Sequence, residues 1–337
     1  MLQGQNFCNF RVPGRVYEAT LHKMTHLKLL SAVLLAAATA SIASAKIDRE
    51  VEKTFVVPAG TAVHLKVSTM GGNITVNSSG DTKVKVVAKE HIHAGSDAEA
   101  DEMLKKLELT MEQNGSEVAA SASYEHGVGL HFGSWPPVQV DFIVTVPSST
   151  SVDLKTSGGD VVVDDLDGAV NAHTSGGDIK LGTIGGDIDA TTSGGNVGVV
   201  QGRGKVRLET SGGNITAKRL VGSSDLRTSG GDIKVESVEN SLLAETSGGD
   251  VRATFVGDIK GDCKLSTSGG QVKAVVSKTA AFHLEAGTSG GEVDASGLTI
   301  TIDHGGSGKS SLSGSVNGGG PELKLRSSGG DIEIDTR

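Results

Sequence analysis

The chain has 337 residues, 31 of them basic and 40 acidic, for a net charge of −9, and its interleaved charges read as a solvated surface rather than a block. An acidic chain of this kind is a poor partner for nucleic acid, which rewards clustered positive charge. Aromatic residues make up only 3% of the chain, so stacking platforms for a glycan are scarce.

In chain order, the segment ahead of Met24 reads as neither a domain nor a signal, and Met24 is the expected initiator. MTHLKLLSAVLLAAATASIASA, from Met24 to Ala45, follows Lys23 and has Lys28 near its head, an apolar stretch from Leu29 to Ala40, and Ala43-Ser44-Ala45 at its end. That is the pattern of a secretory signal with a small-x-small cleavage site, making Lys46 the first mature residue. The expected location is therefore the periplasm, the cell surface or the medium. No Cys stands at the cleavage point, so no lipid anchor is indicated, and no later apolar run is long enough to predict a membrane span after cleavage. Beyond Ala45 the one Cys is Cys263, which excludes an internal disulfide; its spacing from Leu265 and Thr267 suggests an outward strand position.

Residues 46–150 predict irregular opening rungs and a cap. Phe55, Val57, Val63, Leu65 and Val67 alternate, and TMGGNITV and KVKVVAKE follow. SDAEADEMLKKLELTMEQN then predicts a short helix near 97–107, capped by Ser96 or Asp97, with an apolar stripe of Met103, Leu104 and Leu107. An open rung exposes unpaired strand edges, so a helix or hairpin covering that edge is the default reading. YEHGVGLHFGSWPP holds Tyr124, His126, His131, Phe132 and Trp135. Tyr124 and Trp135 are candidate sugar- or peptide-binding residues, or else a plug for the end of the stack. The two His residues lack a third ligand at recognisable spacing, and no metal or cofactor is expected. VDFIVTVP, 140–147, leads into the regular region from 151 to 337.

That region repeats. TSGG begins at Thr156, Thr174, Thr192, Thr210, Thr228 and Thr246 in equal steps of eighteen, and again at Thr267 and Thr288 after steps of twenty-one; SSGG begins at Ser327. The corner glycines are Gly158 and Gly159, Gly176 and Gly177, Gly194 and Gly195, Gly212 and Gly213, Gly230 and Gly231, Gly248 and Gly249, Gly269 and Gly270, Gly290 and Gly291, and Gly329 and Gly330. Tight turning with positive φ is the expected reason for them. After each corner, apolar residues alternate, as at Ile179 and Leu181 or Ile233 and Val235, and a second alternating stretch follows, as at Ile188 and Ala190 or Val206 and Leu208. One copy therefore reads as strand, corner, strand, corner. Two short strands cannot bury a face alone, but stacked copies can share a core. At about 4.8 Å per strand, the five intervals from Thr156 to Thr246 advance the stack by roughly 24 Å.

An Asp or Asn follows the glycines at Asp160, Asp178, Asn196, Asn214, Asp232 and Asp250. The simple reading is corner hydrogen bonding. A calcium ladder is the alternative, but the nonapeptide GGxGxDxUx pattern is missing, and Asn196 with Asn214 relieves carboxylate repulsion without a metal. The outward positions vary: Lys180, Gly198, Thr216 and Lys234 on one strand, and Asn171, Asp189, Arg207, Asp225 and Leu243 on the other. The register of the repeat places Asp189, Arg207 and Asp225 side by side, as a candidate site for a sugar acid or as charge alternation between neighbouring strands. Residues 292–326 break the rhythm and predict one or two irregular rungs with a Ser/Gly loop. GGSGKS within them does not meet the phosphate-loop pattern.

TMGGNITV at 69–76, VDFIVTVPSSTSVDLKTSGGDVVV at 140–163 and the later TSGG corners resemble the DUF4097 family, whose members are assigned as bacterial adhesins, and the related head-domain family of auto-transporter adhesins. The resemblance covers roughly 50–337 and implies an all-β, right-handed parallel β-helix, a β-solenoid with one repeat per rung and a short N-terminal helical insertion. It brings no catalytic residues.

Three functions follow from this reading. The first is a non-catalytic adhesin or scaffold at the cell envelope, with an unidentified protein or glycan as partner. The second is a polysaccharide-active or polysaccharide-binding protein, which as an enzyme would need paired carboxylates or a metal-supported base. The third is an envelope assembly or stress factor that binds a protein. No Ser–His–Asp or Cys–His arrangement stands out in the regular rungs.

Overall fold

The computed structural model describes residues 46–57, 61–124 and 136–337. The signal segment, its cleavage site, His126, His131, Phe132 and Trp135 lie outside the described residues. Ala43–Arg337 forms one compact unit.

Alternation of period two builds two sheets, of 13 strands (here sheet A) and 14 strands (sheet B). Each repeat gives one strand to each. In sheet A, Ile179–Ile184, Val197–Gly202, Ile215–Leu220 and Ile233–Val238 pair in parallel with the repeat as their register, Ile179 opposite Val197 opposite Ile215 opposite Ile233. In sheet B, Val170–His173, Ile188–Thr191, Val206–Thr210 and Ser224–Thr228 do the same. A one-residue slip would turn every apolar side chain outward, so the core fixes the register. Ile179, Ile188, Leu208, Ile215 and Leu226 are all buried in the shared core, each contributing about 1.5–3 kcal/mol of transfer free energy. Leu166, Ile184, Leu220 and Val238 fill the inside of the corner between the sheets.

The expected continuous parallel β-helix is corrected by the order of the strands. His64–Thr69 and Ile74–Ser79 pack directly against the first regular rung, Ser151–Thr156 with Val161–Val163. The strands between them in sequence, Glu117–Tyr124 and Val138–Pro147, stack outside instead. At the other end, Glu322–Ser327 and Ile332–Thr336 slot between the rung of Cys263–Thr267 and Val272–Val276 and that of Phe282–Thr288 and Val293–Asp294. Antiparallel strands flank both ends. Lys83–His93 lies between Lys46–Val56 and Val138–Pro147, Leu107–Asn114 lies on Glu117–Tyr124, and Ser311–Val316 lies between Phe282–Thr288 and Ile300–Ser307. The molecule is thus a two-sheet rack with a parallel middle and mixed ends, and not a closed solenoid wound in chain order.

Ser96 caps the helix Asp97–Leu104, its side chain accepting from the Glu99 N–H. The helix buries Ala100, carries Met103 and Leu104 of the expected stripe against the core, and ends before Leu107, which opens the strand Leu107–Asn114. Among the described residues no helix is long and apolar enough to cross a membrane.

Candidate functional site

The TSGG corner assigns a separate task to each of its residues. Thr174, Thr192, Thr210, Thr228 and Thr246 point inward and are buried. The Thr210 hydroxyl donates to the Gly195 carbonyl one rung back at 2.8 Å and accepts from the Gly213 N–H of its own corner at 3.3 Å. The first glycine donates its N–H to the previous rung's serine, as Gly212 does to the Ser193 carbonyl at 3.0 Å. The second glycine is needed for close approach: a Cβ on Gly195 would overlap the Gly177 carbonyl, whereas one on Gly194 would meet its nearest neighbour at 3.4 Å. None of the TSGG glycines has φ in the left-handed range, so the expected positive-φ turn is corrected to backbone-on-backbone stacking. The corners also record the true rung order, since Thr156 donates to Gly72, Ser327 to Gly270 and Thr288 to Gly330.

The Asp and Asn after the glycines form a ladder. Each side chain accepts the backbone N–H of its counterpart one rung on: Asp160 from Asp178, Asp178 from Asn196, Asn196 from Asn214, Asn214 from Asp232 and Asp232 from Asp250, all at 2.8 Å. The bond from Asn196 is the main cause that holds the Asp178 carboxyl below its ordinary range. Asn and Asp accept this bond at the same distance. Among the described residues no group of three or more His, Cys, Asp or Glu is placed to hold a metal ion.

Asp189, Arg207 and Asp225 do stand in direct register on the outer face of sheet B. Arg207 pairs with Glu209 at 2.8 Å, and Glu209 with Asp189 holds its guanidinium more firmly charged. Asp225 pairs with Arg227 at 2.8 Å, which also reaches Glu245 at 2.8 Å, and Lys264 closes on Glu245 from the next rung. Lys264 leads the causes that hold Glu245 below its usual range. The row is one part of a checkerboard whose charges answer one another. It also borders a shallow hollow shared with Asp153, Asp187 and Lys205.

Tyr124 is not a surface platform. It is buried, its hydroxyl donates to the Val138 carbonyl at 2.7 Å and accepts the Val138 N–H at 2.8 Å, and burial raises its pKa to about 12. Cys263 likewise turns inward rather than outward, with burial raising its thiol to about 11, far from thiolate reactivity at neutral pH. His91 carries carboxylates at both ring nitrogens, Asp48 at 2.6 Å and Asp141 at 3.3 Å, which leaves neither nitrogen facing a substrate.

Sequence reasoning missed a hollow on the outer face of sheet A. Its floor is Gly198 and Thr216, the two short residues in the column Lys180, Gly198, Thr216, Lys234. Lys180, Lys218, Lys234 and Glu236 surround it, with the exposed Val200 alongside. The repeat already set these four residues in one column; the unread signal was the gap that two short side chains leave between two lysines.

Crystal structures similar to this chain include three of low identity. One, from Bacteroides fragilis and provisionally described as an adhesin, is 14% identical with a TM-score of 0.39, covering 85% of this chain and 97% of its own. One from Parabacteroides distasonis, provisionally described as a lipid-binding protein, is 12% identical with a TM-score of 0.33, covering 85% and 96%. One from Clostridium sporogenes, provisionally described as a cell adhesion protein, is 13% identical with a TM-score of 0.27, covering 86% and 100%. A comparison with curated proteins gives no match. The family model described as Toastrack DUF4097 matches residues 63–335, in keeping with the two-sheet rack, and the chain belongs to that family.

Proposed function

We propose that this chain is an exported, non-catalytic binding protein of the cell envelope, an adhesin or scaffold that works through its outer faces. The observation that carries this reading is a division of labour. The Thr, Gly and Asp or Asn of every regular repeat are spent on holding one rung to the next. The outward positions are free to differ from rung to rung, and they form open faces rather than an enclosed cleft. A reaction needs a base, acid or nucleophile poised beside a bound substrate. On sheet B the charged groups that could serve are paired with one another. The secretory pattern of Met24–Ala45 supports export.

The test is a screen of the purified exported chain against acidic and neutral polysaccharides, reading both retention and new reducing or unsaturated ends. Retention without product is expected. Product formation that disappears in Asp189→Asn or Asp225→Asn overturns the reading. N-terminal sequencing of exported material is expected to begin at Lys46, and cytoplasmic protein retaining Met24 contradicts the envelope assignment.

A further inference from the structure

Resting on that reading, we propose that the sheet A hollow over Gly198 and Thr216 binds an acidic polysaccharide, with a sugar carboxylate seated among Lys180, Lys218 and Lys234. Three observations converge on it. The first is the interruption of the side-chain column. Lys180 and Lys234 stand in register at either end of two short residues, so the sheet surface is bared for two rungs. The space is real, since a Cβ on Gly198 would meet nothing nearer than the Thr216 hydroxyl at 3.4 Å.

The second is the charge around the hollow. Lys218 has no carboxylate partner among the described residues. Lys180 reaches Asp178 only at 3.6 Å, and Lys234 has Glu236 at 3.1 Å. Beyond the hollow the column continues Lys234, Arg252, Lys273, three cations directly opposite one another on successive strands. Like charges so placed cost stability. The chain answers that repulsion itself beyond the hollow, with Asp250 at 3.7 Å from Arg252 and with Glu333 at 2.9 Å and Asp335 at 2.7 Å from Lys273, so the charge open to an anionic ligand is concentrated at Lys218 over the hollow.

The third is the corner ladder beside the hollow. Two positions before Gly198 and Thr216, at Asn196 and Asn214, the ladder changes from Asp to Asn, while Asp160, Asp178, Asp232 and Asp250 occupy the rungs on either side. The structural bond is unchanged at 2.8 Å whether Asp or Asn accepts it. The exchange also relieves the ladder itself, since the Asn196 amide donates to the Asp178 carboxylate at 3.2 Å, and it leaves two fewer carboxylates two residues along the chain from the floor of the hollow.

The shape favours a glycan over other polyanions. The rungs repeat at about 4.8 Å, close to the length of one sugar in an extended chain, so a linear polyuronate along the stack presents about one sugar per rung. Val200 offers an apolar contact and Thr216 a hydroxyl. The hollow lies in mid-sheet, where backbone groups are already paired, so a peptide gains no main-chain bonds from it. The overall charge of −9 acts against a polyuronate and a nucleic acid alike, so the choice between them rests on the rung spacing and is read by the gel containing DNA.

The test is affinity electrophoresis of the exported chain in gels containing polygalacturonate, dextran or DNA, at low and raised salt. Retardation by polygalacturonate, weakened by salt, is expected for the wild type. Lys218→Ala with Lys234→Ala is expected to weaken it about tenfold. Asn196→Asp with Asn214→Asp is expected to weaken it while lowering the urea midpoint only slightly, and Arg207→Ala on sheet B to leave it unchanged. Retardation by polygalacturonate that survives both double variants, or that Arg207→Ala abolishes, overturns this site while leaving the adhesin reading standing. Retardation by dextran alone does the same, and equal retardation by DNA overturns the glycan assignment. No retention on any polysaccharide, here or in the wider screen, removes this proposal and leaves a protein partner as the only form of the binding reading.

Discussion

The TSGG corners and the outer faces are made by the same repeat, yet they obey opposite rules. At the corner every rung is the same, because each residue touches its own counterpart one rung away: threonine hydroxyl to glycine carbonyl, glycine against glycine, Asp or Asn to backbone N–H. On the faces the residue mostly changes from rung to rung, and side chains meet water or a charged neighbour. Repetition in this sequence therefore marks contact between backbones, and variation marks exposure. The widest test of that contrast lies inside a single corner. Gly195→Ala places a methyl on the Gly177 carbonyl and is expected to cost about 3 kcal/mol or more, at the upper end of overpacking. Gly194→Ala, with 3.4 Å of clearance, is expected to cost under about 1 kcal/mol. Urea midpoints read the difference, and equal midpoints would mean that close stacking is not what the second glycine is for.

The threonine sharpens the same comparison. Thr210→Val keeps the shape, removes the hydroxyl and leaves the buried Gly195 carbonyl without that donor, at an expected cost of about 1–2 kcal/mol. Thr216→Val on the outer face of sheet A is expected to stay within about 0.5 kcal/mol. A corner variant as mild as the face variant would remove the threonine from the list of structural residues.

This pairing also explains what could be read in advance. The rungs were legible because Ile179, Val197, Ile215 and Ile233 recur at the period that makes them neighbours. The inward turn of the corner threonines was not, because a polar residue beside two glycines looks exposed until its two hydrogen-bond partners are known. The order of the end rungs was illegible for a different reason. A period reports who stacks on whom only while it continues, and it lapses before Ser151 and after Thr288. The placement of Glu322–Ser327 beside Cys263–Thr267 is set by long-range pairing that no local spacing encodes. The row Asp189, Arg207, Asp225 was legible as a row, but its pairing with Glu209, Arg227 and Glu245 depends on side chains two positions along each strand.

Acid separates a corner carboxylate from a core one. Asp178 is held low chiefly by the Asn196 N–H, so it stabilises the fold above the ordinary aspartate range and loses that contribution as pH falls through its folded value. Glu90 is shifted the other way, raised by burial and partly relieved by Arg49, so its ionisation costs stability as pH rises through its folded value. Asp178→Asn, which keeps the acceptor, is expected to be slightly less stable than wild type at pH 7, and Glu90→Gln more stable, each by about 1 kcal/mol or less. Both differences are expected to shrink toward pH 4. Urea midpoints at the two pH values check this, and differences of the same sign would contradict the assignment.

The smallest expected effects divide the two faces from each other. On sheet B, Arg227 touches Asp225 and Glu245, both at 2.8 Å, and stands directly opposite Glu209 and Glu245 on the neighbouring strands. Its side chain is nearly half exposed, so solvent screens most of the attraction, and Arg227→Gln is expected to cost only about 0.5 kcal/mol. On sheet A, Lys234 has one carboxylate, Glu236, and stands directly opposite Arg252. Relief of that repulsion offsets loss of the pair, so Lys234→Gln is expected to change stability by about zero or to raise it slightly. Salt at several times physiological strength is expected to erase both effects, since its screening length falls below the separation of the charges across a rung. The sign is the informative quantity. A loss at Arg227 beside no loss at Lys234 means that the charges around Arg227 are fitted to one another, whereas Lys234 can give up its partner to something outside the chain. Equal losses would mean that both faces are self-paired, and would deprive the basic column of its reason to seek an anion.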